Sequence, residues 1–336
     1  MKKKLLIFTV LMTMAFAVAC ADEGDYYDGF KTVEDLEGEK GEEIPAGGEY
    51  TKKTTGKVYT SGENMPEKAG SGDVYAYGDY VYTMRGDGWS VALSANADKT
   101  KTSYEDLLET LAGFSIVDLT DLYKGCINMV SSPKIPSTVK AMKNTFYECA
   151  ALTEAPELPA SVEDIQYTFY GCSSLANAPV IPEGIKLLKY TFYGCSSLTK
   201  APELPNSITN MLYAFYGCTG LTEAPKTPEK LIVMGHAYEE CTGIVVAPEI
   251  PETVTDIEAT FKNCTNLTTF STKPEKVEFC SETFYGCTSL TGTIVINTNT
   301  GYWTSCFYGV NFTTQGIELT GTSKIINKFM QTGITE

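Results

Sequence analysis

A 23-residue period constrains this chain more than any other feature of its sequence. Cysteines stand at 126, 149, 172, 195, 218, 241, 264 and 287, each 23 residues after the one before. An aromatic precedes each by three residues: Tyr123, Phe146, Phe169, Phe192, Phe215, Tyr238, Phe261 and Phe284. Three residues after each comes Met129, Leu152, Leu175, Leu198, Leu221, Ile244, Leu267 or Leu290. A period of this length marks a solenoid, in which one unit buries its apolar side only by stacking on its neighbours.

Within a coil the apolar columns read V-x-x-I-x-x-T-F-x-x-C-x-x-L-x-x-A, as in Val162, Ile165, Thr168, Phe169, Cys172, Leu175 and Ala178. This spacing matches neither a long strand nor a long helix, so short extended pieces joined by turns are expected. Paired prolines such as Pro179 and Pro182 lack the N–H of a central ladder and belong at corners. The proline-free stretch Val162–Phe169 is the candidate main strand.

The repeat occupies residues 116–313, with residues 314–336 as a C-terminal cap. Residues 71–115 read as an N-terminal cap. Tyr75, Tyr77, Tyr80 and Tyr82 alternate around a Gly78-Asp79 turn, and a helix is expected from Ser103, with Leu107, Leu108 and Leu111 on one face. Residues 21–70 are acidic and poor in aliphatics and read as a flexible tether. Residues 1–20 read as a signal peptide, with Lys2, Lys3 and Lys4 before an apolar run too short to span a bilayer. Ala17-Val18-Ala19-Cys20 resembles the lipobox of bacterial lipoproteins, which makes Cys20 the candidate lipidation site. Ala21-Asp22-Glu23 resembles the tag that sends Bacteroidetes lipoproteins to the outer surface. A lipid-anchored place on a bacterial outer membrane is therefore expected, with plain secretion as the alternative.

The unit F-Y-G-C-S-S-L-T-x-A-P-E-L-P, as in Phe192–Pro205, resembles the BspA-like (Treponema pallidum type) leucine-rich repeat class. That resemblance implies a right-handed, mostly β solenoid with a parallel sheet. It also implies a non-enzymatic surface protein that binds host or bacterial partners.

The side chains fit that class of function. Net charge is −16, and no Lys/Arg stripe exists to release counterions from nucleic acid. The cysteine column lacks the closely spaced pairs of a zinc site. In-register neighbours lie about 4.8 Å apart, beyond the usual Cβ separation of a disulfide. The thiols of Cys126, Cys149, Cys172, Cys195, Cys218, Cys241, Cys264 and Cys287 therefore read as a structural ladder of small buried groups. No metal or cofactor is expected, and His236, the single histidine, leaves the thiols without a base. Arg85-Gly86-Asp87 is an integrin-type tripeptide, but Gly-Asp-Gly also simply makes a turn.

Two rows remain as candidate partner-binding residues. Tyr167, Tyr190, Tyr213 and His236 form one, and Tyr170, Tyr193 and Tyr216 form the other. Charged residues interrupt both columns, which points to exposure. Such rows suit protein or glycan contact, or else ladder packing at the coil edge. The expected function is protein–protein binding or adhesion, with glycan capture for carbohydrate uptake as the alternative.

Overall fold

The computed structural model describes residues 49–52, 57–60, 74–86, 88–95, 97–107, 110–111, 114–270, 276–296 and 305–321. A seven-stranded sheet opens the chain: β1 (Glu49–Lys52), β2 (Lys57–Thr60), β3 (Val74–Tyr77), β4 (Tyr80–Arg85), β5 (Gly88–Leu93), β6 (Thr110–Leu111) and β7 (Phe114–Asp118). Their order is β2-β1-β3-β4-β5-β7-β6. All neighbours are antiparallel except β5 and β7.

β7 is where the cap becomes the solenoid. Asp118 at its end forms a parallel bridge with Ala141, and Ala141 with Asp164. The row resumes from Leu187 through Asn210, Val233 and Asp256 to Phe279. A second row of parallel bridges runs through Glu154, Asn177 and Lys200. Near the C-terminus β8 (Thr293–Ile296) pairs in parallel with β9 (Glu318–Gly321), after a single-turn helix α1 (Phe312–Gln315).

Each coil between bridges is a run of tight turns, because two residues per coil are left-handed. One column holds Asp121, Asn144, Tyr167, Tyr190, Tyr213, His236, Ala259, Glu282 and Ser305, with φ from 46° to 60°. Four residues later comes the other, with Gly171 and Gly194 at φ 70°. Only glycine takes that conformation without Cβ strain, and glycine fills six of its nine places. Between these points amides alternate in direction. Phe169 N–H donates to Thr191 O of the next coil at 3.0 Å, whereas Tyr170 N–H donates back to Tyr167 O at 3.2 Å. Every second amide thus knits two coils together.

The core is a set of stacked columns. Nine rings from Tyr123 to Phe307 lie face to face, with centroids 5.3 to 5.9 Å apart. Thr145, Thr168, Thr191, Thr260 and Thr283 are buried beside them, and each hydroxyl donates to a carbonyl one coil back. The N-terminal sheet seals the open end of the stack. Tyr75, Tyr80, Tyr82 and Trp89 are buried there, and the Tyr80 hydroxyl lies 3.0 Å from that of Tyr123.

Three expectations are corrected. No helix starts at Ser103: residues 101–107 are irregular, and Thr110–Leu111 is a strand. This segment stands where a preceding coil would be. Val130 N–H donates to Thr102 O at 2.8 Å, as Thr153 N–H donates to Val130 O at 3.2 Å. A helix would turn these acceptors inward, so the first coil overrides local propensity. Second, the tether range contains structure. Glu49–Lys52 and Lys57–Thr60 form a hairpin joined to β3, and their valine, tyrosine and threonine content favours strand. Third, Val162–Phe169 is not a continuous strand. Asp164 makes the bridge, and Tyr167 at φ 57° turns the chain away. The signal peptide, the rest of the tether and residues 322–336 lie outside the described residues.

Candidate functional site

The left-handed turn at column Tyr167 throws that side chain outward, and the turn residue three places on points to the same side. Two aromatic rows result. Tyr167, Tyr190 and Tyr213 stack at 4.6 and 4.7 Å, and His236 lies on Tyr213 at 4.2 Å with 10° between planes. Tyr147, Tyr170, Tyr193 and Tyr216 stack at 4.5, 4.4 and 4.4 Å, within 7° of parallel. The rows touch each other too: Tyr190 and Tyr193 are 6.1 Å apart, and Tyr213 and Tyr216 are 6.0 Å apart.

All six candidate tyrosines and His236 are half-buried, less exposed than the interruption by charge suggests. Coil stacking brings identical rings into face contact, and that contact covers them. Burial first, and the neighbouring Tyr216 next, hold the Tyr193 phenol above its ordinary range. Burial first, and the acids Glu240 and Glu239 next, hold the Tyr216 phenol well above its ordinary range. The inner rings therefore present edges, not faces, to solvent.

Charged side chains close the rows. Lys124 Nζ lies 5.1 Å from the ring centre of Tyr147. At the other end His236 Nδ1 is 2.5 Å from Glu239 Oε2, and Lys262 Nζ is 3.6 Å from Glu239 Oε1 and 2.6 Å from Glu282 Oε2. The hydrogen bond to Glu282 raises the Lys262 ammonium above its usual range. Asp256 is pushed up by burial, which outweighs its hydrogen bond from the Glu258 N–H and the nearby His236.

Beside the rows runs the bridge row, which sequence reasoning passed over. Leu187 is 38% exposed there and Ile232 45%, with Leu212 and Val233 half-buried. The bridge positions alternate with a two-coil period: Asp118, Asp164, Asn210 and Asp256 against Ala141, Leu187, Val233 and Phe279. Each Asx side chain accepts the N–H two residues on, at 2.8 to 2.9 Å. That alternation is visible in the sequence and is the signal that finds this face.

The cysteines offer no reacting group. All ten thiols among the described residues are free and buried. Seven donate to the carbonyl of the aromatic one coil back, at 2.9 to 3.2 Å. Cys126 has no coil behind it and instead takes a hydrogen bond from Tyr104 Oη at 3.2 Å. Burial drives these thiols well above their ordinary range, away from the reactive thiolate. Among the described residues no group of His, Cys, Asp and Glu could hold a metal ion, and no helix is long and apolar enough to cross a membrane. Arg85 ends β4 and Gly86 turns at φ 55°, while Asp87 and Cys20 lie outside the described residues.

The family model described as the BspA type leucine rich repeat region matches residues 120–245 and 212–332, in six copies. The chain belongs to that family. Its repeats are the coils described above. Solved structures of such repeats are similar at low identity. A T. pallidum leucine rich repeat protein is 18% identical, covering 73% of this chain and 97% of its own, with a TM-score of 0.33. A leucine rich cell surface protein from Faecalibacterium prausnitzii A2-165 is 17% identical, covering 76% and 96%, with a TM-score of 0.37. A leucine-rich repeat protein from Bacteroides ovatus ATCC 8483 is 16% identical, covering 74% and 90%, with a TM-score of 0.31. No curated protein matches this BspA-type chain.

Proposed function

We propose that this BspA-type chain is a non-enzymatic, lipid-anchored surface protein of a bacterium that binds protein partners across its central coils. The observation that carries the reading is the pairing of two stacked aromatic rows with an exposed apolar bridge row. Ring edges, phenol oxygens and the side chains of Leu187, Leu212 and Ile232 together make a mixed surface of the kind proteins bind. A partner must span several coils, because one coil is too narrow for a standard interface. Among the described residues the titratable side chains form no nucleophile–base pair, which supports a binding role.

Glycan capture is the lesser reading. A sugar stacks on an open aromatic face, and the faces of Tyr170, Tyr190, Tyr193 and Tyr213 already lie on neighbouring rings. The deciding experiment presents the full chain both to a glycan array and to a panel of host matrix and bacterial surface proteins. The proposal expects a protein ligand whose binding soluble glycans do not displace. A glycan signal that matrix proteins fail to compete away would replace it with the carbohydrate reading.

A further inference from the structure

The bridge face changes charge along the solenoid axis. One coil presents Lys186, Leu187 and Lys189. The next two present Thr209, Asn210 and Leu212, then Ile232 and Val233, with no charge among the five. The following coil presents Asp256 and Glu258. Lys186, Leu187, Ile232 and Glu258 are exposed. The register is set by main-chain hydrogen bonds: Leu188 N–H donates to Asn210 O, Met211 N–H to Val233 O and Met234 N–H to Asp256 O, at 2.8, 2.8 and 3.0 Å.

A face that reads basic, apolar, acidic in one direction is complementary to its own reverse. A two-fold axis lying across the face, between the coils of Leu212 and Gly235, sets each column against itself with the coil order inverted. Lys189 then faces Glu258 of the second copy, and Lys186 lies diagonal to its Asp256. Ile232 meets Thr209 at the centre. In the adjoining row Tyr213 meets His236, while Tyr190 lies opposite the position of the buried Ala259. The one like-charge pair, Glu163 against Glu278, falls at the outer coils, where Lys140 and Lys186 flank Glu163 on its own column.

We infer that this face joins two copies of the chain in antiparallel order. The inference rests on the reading of the central coils as a protein-binding surface, and it names the partner. Five columns over four coils supply about seventeen residues a side that are not buried, a little below a standard interface. A net charge of −16 opposes association, so the dimer is weak and concentration-dependent. The ion pairs at its two ends select the antiparallel order by making the parallel one repulsive or unpaired.

Sedimentation of the purified full chain, from dilute to concentrated, tests this. A monomer–dimer equilibrium is expected. Lys189→Glu and Glu258→Lys each turn two symmetric attractive pairs repulsive and weaken association by about tenfold. Mixing the two variants restores it, because a mixed dimer has both pairs complementary again. Wild-type chain that stays monomeric throughout overturns the inference, as do reversals without effect or a mixture that behaves like its parts. In those cases a protein ligand found on the panel, weakened by Ile232→Asp, still supports the broader binding reading, so the two failures are distinguishable.

Discussion

The thiol of Cys195 donates a hydrogen bond to the main-chain oxygen of Phe169, 3.2 Å away and one coil back. It does not reach for the neighbouring cysteine, and the same bond recurs from Cys149 to Cys287. The column is thus a ladder of thiol-to-carbonyl bonds. In native protein these cysteines should resist alkylation, and after denaturation most should titrate as free thiols. Protein kept anaerobic that titrates mainly as disulfide would contradict the ladder.

Tyr238 takes the place of phenylalanine between Phe215 and Phe261, and among the described residues its buried hydroxyl has no partner. An unsatisfied buried hydroxyl carries its full desolvation penalty. Tyr238→Phe should therefore stabilise the protein by about 1 kcal/mol in chemical denaturation. Destabilisation by that variant would mean the hydroxyl has a partner in solution.

Asp256 and Asn210 perform the same task in the bridge row, each accepting an N–H two residues on at 2.9 Å. Asp256 does so as a half-buried acid whose folded pKa is raised by burial. A raised acid binds its proton more tightly in the folded state, so its contribution weakens as pH rises from the unfolded carboxylate range through the folded pKa. Asp256→Asn keeps the acceptor and removes the charge. Its melting temperature should exceed that of the wild type at neutral pH, and the difference should shrink as pH falls to the ordinary carboxylate range. A difference independent of pH would refute this.

The solenoid is legible in the sequence because stacking makes identical columns adjacent, so the period alone identifies Phe169, Cys172 and Leu175 as core. What the period hides is backbone conformation. Tyr167 and Gly171 are both left-handed, but only the glycine announces it. The segment after Ser103 shows the other limit. Tyr104, Leu107 and Leu111 have helical spacing, yet they are buried by a segment without helix that substitutes for a missing coil. The tyrosine rows are legible as rows, whereas their face-to-face stacking follows from coil spacing that no single repeat encodes.

The proposed lipid anchor rests on Cys20. If Cys20 carries lipid, Cys20→Ser should release the protein from membranes and abolish labelling by a fatty-acid analogue. Membrane fractionation unaltered by that change would argue for another anchor.

The central claim is that the face beside the tyrosine rows binds a protein. Tyr190→Ala and Tyr213→Ala are poor probes on their own, since each removes a ring stacked on both sides and should lower the melting temperature as well as binding. Ile232 is 45% exposed, and an exposed change ordinarily shifts stability by about 0.5 kcal/mol or less. The direct measurement is therefore the affinity of Ile232→Asp for the captured protein ligand, taken beside its melting temperature. The account predicts a loss of about 2 kcal/mol or more in binding, the size of an interface hot spot, with melting nearly unchanged. Affinity equal to that of the wild type would place the binding face elsewhere.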